Sequence, residues 1–444
     1  MQSSQTELTT RTLSALLSDI EAGTRPRGGV RGISSGIPSL GGEHLNSLGG
    51  FDFSSIKYVP ENFALSMNRG KVRLNDILVV KDGATTGKVS FVNSDFPYKE
   101  AVINEHIFLL RTKPDILPKY LFWFLWSSLG QSEIISNFQG SAQGGINRTF
   151  VDGVEVPVCD IDEQRKIVVK VDELFPQVSQ TSVNIQKAKL LIQKFRQSVL
   201  SAAVTGKLTE GWREKHLNEN GKLELEKLFG TINTGNLEDI PDTWGQISSS
   251  RVFSYVTSGS RGWARYYSDK GNLFFRVGNL EHNSISLKLD DVKYVKLPDK
   301  TEGRRTKLQP NDLLISITAD IGRIALISSD IDEGYINQHI ALARPVTSIY
   351  APFLAWYLAT YQGGWSQFVD KQRGATKVGL GLDDISSITI PFPPIAEQKE
   401  IVSQIDRYLG IAHQVELQIE NTERKVNKLT QSILAKAFRG ELVN

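Results

Sequence analysis

The chain repeats itself. Residues 432–442, SILAKAFRGEL, are a second copy of residues 198–208, SVLSAAVTGKL, at an offset of 234 (432 − 198). The same offset relates Glu163-Gln164 in DEQRKIV to Glu397-Gln398 in AEQKEIV. Repetition over half the chain length constrains the fold more than any single motif, because one assembly of elements must be built twice. A chain made of two equivalent units suits a target that also comes in two parts.

Each repeat reads as a globular part followed by a long helix. In the first, DILVV (76–80) and KVSFV (88–92) form a strand pair around GATTG, matched by DLLIS (312–316) and RIALI (323–327). INEHIFLLR (103–111) and INQHIALAR (336–344) are strand-like, and helices with apolar faces follow near 118–137 and 352–370. Short β-branched segments between Gly-rich turns imply mixed α/β domains. The boundaries read as 1–158 for the first globular domain, 159–205 for its helix, 206–240 for a linker holding a short helix over 223–229, 241–392 for the second domain, and 393–444 for its helix.

The long helices are read from periodicity. Ile401, Ile405, Tyr408, Ala412, Val415, Ile419, Thr422, Val426, Leu429 and Ile433 alternate spacings of four and three. Their counterparts 234 residues earlier are Ile167, Val171, Leu174, Val178, Thr181, Ile185, Ala188, Ile192, Phe195 and Val199. Both stripes form the 3.5-residue seam of helices that pack along their length. Residues 397–438 would extend roughly 63 Å at about 1.5 Å per residue. A rod of that length cannot bury its stripe in one small domain, so its economical partner is the other repeat's helix. Asp160 with Glu163 resembles a capping box, and Pro394 suits a first turn. Pro176 and Gly410 occupy matching positions and each weakens a helix interior, which predicts a shared kink or break.

Composition narrows the function classes. The 51 Lys+Arg against 49 Asp+Glu leave a net charge of +2, so nucleic-acid binding would require basic residues gathered on one face. Arg25, Arg27 and Arg31 in GTRPRGGVRG, and Arg304, Arg305 and Lys307 in GRRTK, are local clusters. The one cysteine, Cys159, allows neither an intrachain disulfide nor a Cys-based metal cluster and fits a reducing cytoplasm. The first residues lack the apolar run of a signal peptide, and YLFWFLW (120–126) is too short to span a bilayer. GATTGKV (83–89) imitates a phosphate loop, but it has one residue too few between the glycines and Val89 where a Mg²⁺-binding hydroxyl belongs, so a hairpin turn or DNA-facing loop is the better reading. No Asn-Pro-Pro-aromatic methyltransferase motif, metal-spaced histidines or nuclease constellation is present. No catalysis is expected of the chain alone.

KFRQSVLSAAVTGKLTEGWR (194–213), IPFPPIAEQKEIV (390–402) and LTQSILAKAFRGEL (429–442) carry a resemblance that covers essentially the whole chain. In motif content, order and duplication the sequence resembles the specificity subunit of type I restriction-modification enzymes. It departs at VPVCDIDEQ, where only Pro157 of the family's proline turn is kept, and has the family's Trp-containing start only at 241–244. The resemblance implies two α/β (α+β) target-recognition domains, each reading half of a split double-stranded DNA site. It implies an antiparallel pair of long helices that separates them, docks two methyltransferase subunits, and is joined by restriction/translocase subunits. S-adenosylmethionine, ATP and Mg would then be held by those partners, with no cofactor or metal on this chain. A stand-alone duplicated DNA-binding or architectural protein is the alternative.

Duplication also sorts candidate DNA contacts. Residues identical in both halves cannot distinguish different half-sites; they are framework or phosphate contacts, while base readers lie where the halves differ. Asn104-x-His106 and Asn337-x-His339 are shared; on a strand the two side chains would share one face, and the favoured reading is an anchor for a neighbouring loop rather than a DNA contact. Asn75-Asp76 and Asn311-Asp312 are turn chemistry. The divergent segment 24–36 offers Arg25, Arg27 and Arg31 against Arg261, Arg265 and Arg276, since arginine reads guanine in a bidentate way. The segment 140–149 against 374–383 offers Gln143, Asn147 and Arg148 against Arg373 and Lys377. Lys88, Arg304 and Arg305 complete the candidates, the last two as phosphate-facing or solvated.

Overall fold

The computed structural model describes residues 8–140, 144–231, 237, 240–298, 302–373 and 379–442, except the side chains of Glu302 and Arg304. The chain divides into two units, residues 1–187 with 419–444, and residues 188–418.

The first unit contains β1 (Thr9–Thr12), β2 (Leu17–Ala22), β3 (Ile37–Leu40), β4 (Lys57–Val59), β5 (Ile77–Val80), β6 (Val89–Phe91), β7 (Val102–Ile103), β8 (Ile107–Thr112) and β9 (Glu155–Val158). An antiparallel sheet has the order β2-β8-β5-β6, a smaller one the order β4-β3-β7, and β1 pairs with β9. β5 is buried along its whole length, which its unbroken Ile-Leu-Val-Val run requires. Its alternating side chains serve two cores. Ile77 and Val79 join the aromatic helix Pro118–Trp126, whereas Leu78 and Val80 join Leu40, Ile107 and Leu109 on the other face.

The second unit repeats this plan with β10 (Gly245–Ser248), β11 (Phe253–Ser258), β12 (Tyr267–Ser268), β13 (Asn272–Phe275), β14 (Lys293–Val295), β15 (Leu313–Ser316), β16 (Ile324–Leu326), β17 (Gly334–Ile336), β18 (Ile340–Pro345) and β19 (Thr389–Phe392). The orders are β11-β18-β15-β16, β12-β14-β13-β17 and β10-β19, so the second sheet gains one edge strand, β12. Leu313 and Ile315 again face one core and Leu314 the other. Even the irregularity repeats: β2 is bulged between Leu17 and Asp19, and β11 between Phe253 and Tyr255.

The shared Asn-Asp pairs are turns, with Asn75 at φ 70° and Asn311 at φ 71°. They do more than turn the chain. Asp76 is buried and accepts from the Arg111 Nε at 2.8 Å and Nη2 at 3.0 Å; Asp312 accepts from the Arg344 Nε at 2.6 Å and Nη2 at 2.7 Å. Each bidentate pair ties the start of a central strand to its neighbour. Both arginines end the strings INEHIFLLR and INQHIALAR.

The long helices are Ile161–Val204, of 44 residues, and Ile395–Ala437, of 43 residues, each about 65 Å long. Both helices run unbroken through Pro176 and Gly410, so the short break that is one form of the sequence expectation does not occur. Packing outweighs the lost hydrogen bond: beside Pro176, Phe175 lies 4.4 Å from Trp123 and 5.1 Å from Trp126 by ring centroids. Gly206 at φ 76° and Gly440 at φ 74° terminate the two helices, which explains the repeated glycine of AVTGKL and AFRGEL.

In both units the helices run antiparallel. In the first, Ile167 and Val171 share a core with Leu434, Ala437 and Phe438, while Gln186 reaches Glu423 at 3.4 Å. In the second, Leu200 and Ala203 share a core with Ile401 and Ile405, while Arg196 grips Glu416 at 2.8 and 3.0 Å. Ile185 and Val199 are also buried, and Leu174, Val178, Ile192, Tyr408, Val415, Ile419, Val426 and Ile433 are half-buried. Phe195, though 38% exposed, packs its ring 6.3 Å from Tyr408. Leu429 departs from the predicted seam: it is 55% exposed, and Thr430, Leu434 and Ala437 are buried instead. A straight helix of 3.6 residues per turn drifts off a 3.5-residue stripe, and here the drift moves the seam by one position.

Candidate nucleic-acid interface

Each unit builds the same backbone platform where the central sheet ends. In the first, Asn104, Glu105 and His106 turn the chain from β7 into β8. The Asn104 Oδ1 accepts the His106 N–H at 2.9 Å and its carbonyl accepts the Ile107 N–H at 3.3 Å. In the second, the Asn337 Oδ1 accepts the His339 N–H at 3.1 Å and its carbonyl the Ile340 N–H at 3.2 Å. The Asn-x-His triplets are therefore Asx turns and not strand residues sharing a face, because the asparagine side chain caps the turn locally. The anchoring role expected for them holds.

Two more segments dock on this turn. Lys81 follows β5; its N–H donates to the His106 carbonyl at 2.9 Å and its carbonyl accepts the Ile146 N–H at 2.7 Å. Ile317 follows β15 and repeats both bonds with His339 and Leu380, each at 3.0 Å. Gln139 and Gly145 exchange a pair of backbone hydrogen bonds, as do Arg373 and Gly379. On the opposite side, the first loop leaves β2 at Gly23 and β11 at Gly259. A Cβ on Gly23 would sit 2.0 Å from the Ile103 carbonyl oxygen, and one on Gly259 2.2 Å from the Asn337 carbonyl oxygen. Only glycine permits that approach. The chain at Gly23, Lys81 and Ile146 thus meets one turn in the first unit, and the chain at Gly259, Ile317 and Leu380 meets its counterpart in the second.

The side chains on this platform differ. In the first unit the Asp82 Oδ1 lies 2.5 Å from His106 Nδ1, and the Glu105 Oε1 lies 2.9 Å from Arg25 Nε and 3.4 Å from His106 Nε2. In the second, Thr318 follows Ile317 and Gln338 fills the turn beside His339, the two within 2.9 Å. Nearby, the His282 Nε2 donates to the Asp320 Oδ1 at 2.7 Å, the ring stacks on Trp365 with centroids 4.6 Å apart, and its buried Nδ1 is left without a partner. Burial pushes the Asp320 carboxyl up, but hydrogen bonds from His282 and Arg323 outweigh it and hold the group below the usual carboxylate range.

The predicted residues distribute as follows. Arg25, Arg27 and Arg31 are exposed on the loop after β2, and Arg261 and Arg265 on the loop after β11, with the Arg265 guanidinium 4.9 Å from the Tyr266 ring centroid. Asn147 and Arg148 are exposed, the Asn147 Oδ1 accepting the Thr149 N–H at 2.9 Å. Arg373 reaches Asp384 at 2.7 Å, and Arg305 hydrogen-bonds Thr257. Two candidates are engaged by partners within the fold. The Lys88 ammonium donates to the Leu45 carbonyl at 2.9 Å, and Arg276 pairs with Asp291 at 2.8 Å. Residues 83–87 make the tight turn from β5 to β6, with Gly83 at φ 88° and Gly87 at φ 85°, and no helix follows as a phosphate loop requires. Gln143, Lys377 and the Arg304 side chain lie outside the described residues. Sequence reasoning missed Asp82, Glu105, His282, Asp320 and Trp365. Asp82 and Glu105 could have been found by asking where the halves differ inside shared motifs; the His282 cluster has no sequence signal, because its members are far apart in the chain.

Among the described residues no helix is long and apolar enough to cross a membrane, and no group of three or more His, Cys, Asp or Glu side chains is placed to hold a metal. A family model described as the type I restriction modification DNA specificity domain matches residues 34–188 and 274–422, more than half of the chain. The chain is 28% identical over 403 residues to the type I restriction enzyme StySPI specificity subunit of Salmonella potsdam, covering 89% of this chain and 80% of that one. It is 26% identical over 402 residues to the EcoKI specificity subunit of Escherichia coli strain K12, with the same coverage of 89% and 80%. A solved chain from work on the assembly and conformational transition of a type I R-M system has the same fold, with TM-score 0.70 over 98% of both chains at 19% identity. Its duplicated platform and these matches together show that the chain belongs to the type I restriction modification DNA specificity family.

Proposed function

We propose that the chain is the DNA-sequence specificity subunit of a type I restriction-modification system, in which each unit's platform reads one half of a bipartite site. The observation that carries this reading is the pair of platforms with one backbone and two sets of side chains. Shared groups, such as the Asn-x-His turn and its glycine, position the loops; differing groups can specify different bases. The paired helices, which run through both units, set the number of unread base pairs between the half-sites. Exposed Val169, Val183, Leu190, Leu191 and Leu417 on those helices support their docking of two methyltransferase subunits, to which restriction/translocase subunits join. Methyl transfer, ATP-driven translocation and cleavage then belong to the partners, with their S-adenosylmethionine, ATP and Mg, and this chain catalyses none of them.

Genome-wide adenine-methylation mapping, with and without the gene for this chain, tests the reading. A split motif present only with the chain is expected. A methylome unchanged by its deletion in cells that express the partner subunits would refute it.

A further inference from the structure

We infer that the middle residue of the Asn-x-His turn, Glu105 in the first unit and Gln338 in the second, determines one base in each half-site. This rests on the proposed reading of the platforms and names the residue in each that discriminates. The argument is comparative. The backbone around the two residues shares one framework: the Asx turn, the link to Lys81 or Ile317, and the glycine packed on the turn all recur. Whatever the turn presents, it presents from an equivalent place on each platform. The sequence at that place is where the halves part, Asn-Glu-His against Asn-Gln-His.

The two side chains have nearly equal shape and different hydrogen-bonding capacity. A carboxylate only accepts, so Glu105 selects a base with an exocyclic amino group in the major groove, with cytosine N4 its usual donor. A carboxamide accepts and donates, so Gln338 matches adenine, accepting from N6 and donating to N7. The Glu105 carboxylate is also incompletely satisfied. Its Oε1 faces Arg25, whose own side chain is 65% exposed, while its Oε2 is shielded and has no hydrogen-bond partner. An exposed arginine pairing adds little net stability. Turning the carboxylate toward the groove would give the orphaned oxygen a donor and release Arg25 to a neighbouring phosphate or guanine.

The test uses the intact complex in cells, with methylation mapping as the readout, and near-isosteric exchanges in both directions. Glu105→Gln is expected to change the preferred base at a single position of one half-site, toward adenine, shifting the ratio of methylated sites there by roughly 5- to 100-fold and leaving the other half-site unchanged. Gln338→Glu is expected to change one position of the other half-site only. Both motifs unchanged in an actively methylating complex would overturn the inference, as would a change in both half-sites from one exchange. Loss of all methylation in both variants would also overturn it, because it would make the turn framework alone. Absence of any split motif with the wild-type chain would instead sink the reading on which this rests.

Discussion

Glu397 should be among the costliest single side chains to remove from the second unit. It is fully buried at the start of the long helix Ile395–Ala437. Its Oε1 accepts from Thr209 Oγ1 at 2.7 Å and Arg213 Nη1 at 2.5 Å, and its Oε2 accepts from Trp244 Nε1 at 2.9 Å. One carboxylate therefore joins the residues that follow the first long helix, the Trp that opens the second globular part, and the second long helix. Glu397→Ala leaves Arg213, only 19% exposed, without its counter-charge and orphans two further donors. Breaking a buried ion pair from one side costs about 3–5 kcal/mol. For a unit of this size that lowers the thermal midpoint by about 6–20 °C. The repeat supplies an internal control. Glu163, the same position in the first half, pairs with Lys166, which is 65% exposed, so removing that pair from its exposed side, by Lys166→Ala, should cost about 1 kcal/mol or less. Differential scanning calorimetry of the purified chain and both variants decides the matter. Equal midpoint losses, or a Glu397→Ala loss within about 1 kcal/mol of wild type, would show that the buried carboxylate does not hold these elements together.

Two further outcomes follow from the platforms. Gly23→Ala forces a Cβ to 2.0 Å from a carbonyl oxygen, which should shift the turn at Asn104, destabilise the first unit by about 1–3 kcal/mol, and weaken recognition of one half-site only; unaltered methylation at both would contradict the packing argument. The Asp320 carboxyl is held below its ordinary value of 3.8. Stability from a carboxylate depressed in the folded state is present above the ordinary value and lost as pH falls through the folded one. Asp320→Asn should therefore flatten the fall in the second unit's thermal midpoint below pH 3.8, and parallel wild-type and variant curves would refute it.

The duplication, the strand pairs and the long helices were legible because each has a sequence period or an offset that survives divergence. Strands with both faces buried read as apolar runs, and ILVV and LLIS are such runs in both halves. The Asn-x-His residues were misplaced onto a strand because apolar residues flank them on both sides; the Asx turn that interrupts the run depends on one side-chain oxygen. Continuity through Pro176 depends on Phe175 meeting two tryptophans about 50 residues earlier, which no local propensity encodes. The exposure of Leu429 is a cumulative effect of helical drift. Lys88 and Arg276 stand in segments where basic residues are usually solvated, yet the Leu45 carbonyl, 43 residues away, engages the first and the Asp291 carboxylate, 15 residues away, the second. The Asp76–Arg111 and Asp312–Arg344 pairs were visible as repeated letters, but their partnership required the sheet order.

The central claim, that one platform reads one half of the target, is tested most directly by exchanging residues 1–158 for the corresponding domain of a family member with a different target and mapping methylation in the same cells. The account predicts a new sequence in one half-site, with the other half-site and the unread spacing retained. A change in both half-sites, or in neither while methylation persists, would contradict it.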